Sequence, residues 1–201
     1  MKYLLLLFLL GCTDKNTADV AETNVTATTK DFYGNLSDAA ITLTKDEVEY
    51  DGTYFTIPYP NGDVPKGKGV CTDVIIRAYR KMGIDLQKEV HEDMKKNFLL
   101  YPKSWGLKTT DSNIDHRRVP NLQVFFSRFG ETKSVTDKAS DYKPGDIVTW
   151  KINGRLPHIG IVTDKKASSG RYMIVHNVGY GQNLDDCLFS YPLTGHYSYK
   201  K

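Results

Sequence analysis

The chain has 201 residues, of which 40% are hydrophobic and 25% charged, and a formal net charge of +3. This ordinary globular composition supplies one full core, so a single domain is expected. The small, dispersed charge excludes nucleic acid as an expected partner, and no repeat or long apolar span after the N-terminus suggests a solenoid, a coiled coil or a membrane-spanning protein.

Residues 1–11, MKYLLLLFLLG, combine Lys2, a short apolar run and a small residue directly before Cys12. This is the pattern of an export leader, and the run is too short to stay in a bilayer as a spanning helix. The LLGC ending resembles a bacterial lipoprotein box, which implies cleavage before Cys12 and diacylation of its thiol. The protein is then expected in the bacterial cell envelope, anchored to a membrane through lipid on Cys12 and facing the periplasm or exterior. An ordinary secretory leader is the alternative, and it too takes the protein out of the cytoplasm. Residues 12–33, rich in Thr, Ala, Asn and Asp without apolar periodicity, read as a flexible tether, and 34–201 as the domain.

From about Gly34 to Val48, Leu36, Ala39, Ala40 and Leu43 recur at helical spacing, with Ser37 or Asp38 near the start. YDGTYFTIPYPNGDVPKGKG follows, and Pro58, Pro60 and Pro65 forbid a continuous helix there. It reads as an ordered loop leading to GVCTDVIIRAYRKMG, residues 69–83. In that stretch Val74, Ile75, Ala78, Tyr79 and Met82 share one helical face, Arg77, Arg80 and Lys81 share the other, and Gly83 supplies a left-handed cap. Leu86, Val90, Met94 and Phe98 mark a second helix. After the irregular YPKSWGLKTTDSNIDHRRV, Pro120 opens a third, carrying Leu122, Phe125, Phe126 and Phe129. Pro144-Gly145-Asp146 then turns into IVTW, followed by HIGIVT and RYMIVH across short connections, and SYPLTGHYSY offers one more strand. Helices first and antiparallel strands second make an α+β domain.

Cys71 sits in the first turn of its helix, where unpaired N–H groups and the helix dipole favour thiolate over thiol. Helix position alone supplies no base, and a free cysteine is commonly just a small buried hydrophobe. His158 opens HIGIVT and His176 closes YMIVH, at the ends of neighbouring strands. Either alone is an ordinary polar strand terminus. Together with Cys71 they make a nucleophile, a base and a polar group that orients the base. Asn177 competes for the third role, although alternation puts it on the opposite strand face from His176. Arg117 and Arg118 have two readings: one or both bind a substrate carboxylate by bidentate hydrogen bonds, or Asp115 pairs with one of them inside the fold. Trp105 and Trp150 read as core aromatics or as the lining of a sugar- or peptide-binding groove. No metal or cofactor motif is present, since His91 and Asp93 lack a histidine at i+4 and the cysteines never pair as CxxC. Cys187 could form a disulfide with Cys71, which would remove the nucleophile, or be buried as a free thiol.

The order of a cysteine at a helix start, PGDIVTW, PHIGIVTD and YMIVHN resembles the NlpC-type cell-wall cysteine peptidases of the papain-like superfamily. The resemblance implies a papain-like fold with helices packed on an antiparallel sheet, and roles of nucleophile for Cys71, general base for His158 and orienting residue for His176. GDVPKGKGVCTDVIIRAYRKMGIDLQ, VHEDM, NIDHRRVPNLQVFF, YKPGDIVTW, LPHIGIV, VHNVG and GHYSY resemble, more closely, the bacterial family called domain of unknown function 1287, from about Asp51 to Tyr199. The superfamily's usual Asp-Cys-Ser-Gly is Val70-Cys71-Thr72-Asp73 here, and the segment between the cysteine helix and PGD is longer than usual. The expected activity is hydrolysis of an amide bond, with peptidoglycan peptides or another envelope amide as substrate. A non-catalytic binding lipoprotein, and an acyltransferase or lipid amidase using the same dyad, are the alternatives.

Overall fold

The structure, a computed structural model, describes Met1 and residues 30–201. Cys12 and the apolar run before it lie outside the described residues. Helix α1 spans Phe32–Leu43, starting earlier than the apolar spacing suggests and inside the stretch assigned to the tether. The reason is its cap: Asp31 is extended and its carboxylate accepts the Gly34 N–H at 2.8 Å. Ser37, expected near the start, is instead buried within α1 and accepts the Asp164 N–H at 2.9 Å. The proline-rich loop is held at its ends by two short parallel strands, β1 (Glu49–Tyr50) and β2 (Lys68–Gly69).

Helix α2 covers Cys71–Lys81, and its C-terminus closes on Gly83 at φ +77°, the left-handed conformation expected of it. Val74, Ile75, Ala78 and Tyr79 are completely buried. Each large apolar side chain removed from water in this way stabilises the fold by roughly 1.5–3 kcal/mol. Arg77 and Arg80, on the opposite face, both reach Asp63, at 3.0 and 2.8 Å. Helix α3 (Leu86–Asn97) is capped by Asp85, and α4 (Val119–Phe129) carries Pro120 in its first turn. Tyr79 of α2 sits between Phe126 of α4 and Tyr199, and its hydroxyl donates to the Tyr199 carbonyl at 3.0 Å.

The second half is a six-stranded sheet of β3 (Glu131–Thr132), β4 (Ile147–Ile152), β5 (Leu156–Lys166), β6 (Tyr172–His176), β7 (Asn183–Asp185) and β8 (Leu193–Ser198), antiparallel throughout. The order across the sheet is β3-β8-β4-β5-β6-β7, so β8 returns to pair with β4 and the short β7 forms an edge. Alternation divides its side chains between two cores. Ile147, Ile159, Ile161 and Val175 face the helices, whereas Val148, Trp150, Val162 and Ile174 pack with Tyr142, Cys187 and Leu188 on the far face. The domain is therefore α+β, with N-terminal helices packed on one face of an antiparallel sheet.

Candidate active site

Three strands bring the site together by register alone. Trp150 of β4 pairs with His158 of β5. Ile161 pairs with Val175, so Gly160 is opposite His176, and His158 is the diagonal neighbour of His176 on the same face. His176 pairs in turn with Asn183 of β7, which makes Asp185 its diagonal neighbour on the other side. All of these side chains lie on the far face of the sheet. The resulting contacts are short: His158 Nε2 is 2.8 Å from His176 Nδ1, and His176 Nε2 is 2.9 Å from Asp185 Oδ2. The Trp150 ring flanks His158 at 5.7 Å between centroids, and its indole N–H donates to the Leu188 carbonyl. Gly160 is required at this crossing. A β-carbon there would meet Ile174 Cγ2 at 2.6 Å and His176 Cβ at 3.2 Å.

Cys71 approaches from the helix side. Val70 has no polar side chain to cap α2, so Asp73 reaches back and its Oδ2 accepts the Val70 N–H at 2.7 Å. Arg117 locks that carboxylate, donating from Nε to Oδ1 at 2.9 Å and from Nη2 to Oδ2 at 3.0 Å. Its main-chain carbonyl also accepts the Thr72 hydroxyl at 3.2 Å. Asn177 Nδ2 donates to the Gly69 carbonyl at 3.3 Å, on the side away from the imidazole pair. It braces the turn before Cys71 instead of joining His158. The phenol of Tyr50 is close enough to Cys71 and Asp73 for their charges to raise its pKa, after burial itself.

The sulfur lies beside β5. The Val162 N–H bonds the Asp146 carbonyl on the β4 side, so alternation turns the Ile159 N–H toward β6, past its last residue His176. That N–H is near enough to the Cys71 sulfur to favour its thiolate, as are those of Thr72 and Cys71 itself. Cys71 thus lies on the helix side of β5 beside Ile159, the residue after His158, whose ring is on the far face, and among the described residues no hydrogen bond joins the two. His158 Nδ1 likewise makes none.

Electrostatics correct one expectation. Burial pushes the Cys71 thiol up to about 12, and the carboxylate of Asp73 adds to the effect, outweighing the three N–H groups that favour thiolate. Burial also carries His158 down to about 3, with His176 contributing, and lowers His176, whose bond to Asp185 works in the other direction. The resting pair is a neutral thiol and a neutral imidazole, not the thiolate that helix position alone suggests.

The arginines separate. Arg117 is buried and fully engaged with Asp73, so its expected partner Asp115 and its expected role as a carboxylate reader both give way to a structural one. Asp115 pairs instead with His91 Nδ1 at 2.8 Å. Arg118 stacks over Trp105 at 4.3 Å and has no carboxylate partner among the described residues. Cys71 and Cys187 are both free and buried, in cores on opposite faces of the sheet, so no disulfide links them. The Cys187 sulfur is instead 3.5 Å from His176 Nε2. Asp73 and Asp185 stand beside the expected residues without a place in the sequence reading. The sequence signal for Asp73 is a carboxylate at the third position of a helix whose cap cannot hydrogen-bond. For Asp185 there is only an Asp in a three-residue strand with no apolar pattern. Among the described residues no cluster of three or more potential ligands could hold a metal ion.

A family model described as domain of unknown function (DUF1287) matches residues 37–199. The uncharacterized protein YijF of Escherichia coli (strain K12) is 52% identical over 150 residues, 75% of this chain and 73% of that protein. Among solved structures, NlpC1 and NlpC2 of Trichomonas vaginalis are similar at 17% and 16% identity, each with a TM-score of 0.43 over 86% of this chain. The match takes in 47% and 49% of those two chains, so this chain spans about half their length.

Proposed function

The chain belongs to the domain of unknown function 1287 family, and we propose that within it this protein is a cysteine amide hydrolase with Cys71 as nucleophile and His158 as base. The observation that supports this best is the 2.8 Å bond between His158 and His176, with the next residue of β5, Ile159, beside a cysteine in the first turn of α2. Cys71 gives its proton to His158 Nδ1 and attacks the carbonyl carbon. The oxyanion is held by N–H groups at the start of α2. His158 protonates the leaving amine, and water then hydrolyses the thioester through the same base. His176 orients His158. Both groups are neutral at rest, so the proton passes from Cys71 to His158 as the thiol reacts. Arg118, stacked on Trp105 and without a carboxylate partner among the described residues, is the residue we assign to a substrate carboxylate. The proposed substrates are peptidoglycan peptides. The proposed location is the bacterial envelope, with Cys12 lipidated as the membrane anchor. The test is incubation of the purified protein with cell-wall sacculi and mass analysis of released fragments: wild type releases peptides, and Cys71→Ser and His158→Ala do not. Equal release by Cys71→Ser would sink the reading.

One observation favours a second reading. Cys71 is only 6% exposed and its thiol is pushed up to about 12, as suits a binding lipoprotein that keeps the fold without turnover. Wild-type protein that retains sacculus fragments without cleaving them would support it.

A further inference from the structure

Two imidazoles that share one hydrogen bond can hold it in either direction, and for His158 the direction decides everything. With the proton on His158 Nε2, its Nδ1 is a bare lone pair able to take the thiol proton. With the proton on His176 Nδ1, His158 Nε2 accepts, the remaining hydrogen sits on His158 Nδ1, and no lone pair is left there to take the thiol proton.

We propose that Asp185 sets this direction and is the positioning residue of the site. Its Oδ2 is 2.9 Å from His176 Nε2. An ionised carboxylate only accepts, so His176 carries its proton on Nε2. In the neutral ring Nδ1 is then bare and must accept from His158 Nε2–H across 2.8 Å. The order of bonds from β7 through β6 to β5 follows from this one end. When His158 takes the Cys71 proton, the new imidazolium is linked through His176 to a fixed negative charge. Asp185 is free for the task. Its neighbour Asp186 is bound by Arg171 and Ser169, whereas Asp185 bonds only His176 among the described side chains. Cys187, the other group at His176 Nε2, is held as a neutral thiol by burial and competes only weakly for that proton.

The inference rests on the pairing of Cys71 with His158, but its test uses no substrate. Full-length protein labelled with 15N-histidine gives the tautomer of each imidazole from long-range 1H–15N spectra, and His158→Gln and His176→Gln variants assign the two rings. The expected result is Nε2–H on both. Asp185→Asn can turn its amide N–H toward His176 and so invert the chain of bonds. Nδ1–H should appear on His158, and alkylation of Cys71 by iodoacetamide at neutral pH should slow about tenfold or more. Asp185→Glu should recover much of the rate. A wild-type His158 protonated on Nδ1, or an Asp185→Asn protein with unchanged tautomers and alkylation rate, would overturn the proposal. An unreactive sacculus combined with the expected spectra would count against the hydrolase reading and leave the role of Asp185 standing.

Discussion

Arg117 and Asp73 grip each other through two parallel bonds of 2.9 and 3.0 Å, with both side chains almost fully withdrawn from water. Because Asp73 also accepts the Val70 N–H, the pair fixes the backbone immediately before Cys71 as well as the first turn of α2. The internal ion pair thereby supports Cys71 from behind, which explains why an arginine that reads as a substrate binder is turned into the fold.

Arg117→Ala should therefore act as a folding mutation. Removing one partner of a buried pair leaves an uncompensated charge and typically costs about 3–5 kcal/mol. Arg118→Ala should cost under about 1 kcal/mol, the scale of a partly exposed cation–π contact. If Arg118 reads a carboxylate, its loss should instead raise KM. Urea denaturation of the two variants, together with KM on a carboxylate-bearing substrate, separates the roles. Equal stabilities would contradict the structural assignment of Arg117.

A second prediction concerns acid. Burial holds both His116 and His158 down to about 3 in the folded chain, against about 6.5 when unfolded. Between those values the unfolded chain binds protons that the folded chain refuses, so stability falls as pH drops from about 6.5 toward 3. Each ring contributes a slope of up to ~1.4 kcal/mol per pH unit. His116 Nδ1 is buried without a partner among the described residues, so His116→Leu should remove its share of the slope. Urea midpoints measured across this range provide the check, and an unchanged slope in His116→Leu would refute it.

What the sequence made legible follows from how far each signal reaches along the chain. The 3.6-residue spacing of Val74, Ile75, Ala78 and Tyr79 and the left-handed Gly83 are local, and they define α2 without help from elsewhere. The placement of His176 at a strand end is equally local, and antiparallel register brings it to His158, the third residue of β5 rather than its first. Asp185 is different. It acts from a three-residue edge strand whose existence depends on β6 already being in place. The thiol escapes the sequence for a related reason: the helix dipole is visible in one dimension, whereas the burial that opposes it comes from the folded core that Cys71 shares with Ile159 and Val175 of the sheet. The pairing of Asp115 with His91 rather than an arginine also depends on α3 packing across the loop, which no spacing within IDHRRV reveals.

The thiols give a third prediction, on the alkaline side. Burial pushes Cys71 and Cys187 up to about 12, while an unfolded thiol ionises near 8.5. The stabilising effect of keeping them protonated is complete below about pH 8.5 and is lost as pH rises toward 12. Under native conditions at pH 7 both should alkylate with iodoacetamide more slowly than in urea. Mass analysis without reductant should find both free. A native Cys71 that reacts faster than the unfolded chain at pH 7 would show that the N–H groups around its sulfur outweigh burial.

The final prediction tests the crossing on which the imidazole pair depends. At Gly160 an added β-carbon would meet Ile174 Cγ2 at 2.6 Å, the Val175 carbonyl oxygen at 3.1 Å and His176 Cβ at 3.2 Å. Two of these atoms belong to β6 side chains held in a packed sheet and one to its backbone, so relief requires β6 to move away from β5. Overpacking of this kind costs about 1–3 kcal/mol. The larger effect should be geometric: a shift of a few tenths of an ångström stretches the 2.8 Å bond between His158 and His176, and a hydrogen bond weakens as its partners separate. Gly160→Ala should therefore lower stability moderately while reducing the alkylation rate of Cys71 out of proportion to that loss. Gly52→Ala, where an added β-carbon meets nothing within 4 Å, should change neither. Stability from urea titration and alkylation rates at neutral pH, measured on both variants, make the comparison. A Gly160→Ala protein that folds less well yet alkylates at the wild-type rate would show that the imidazole pair has no hold on the reactivity of Cys71.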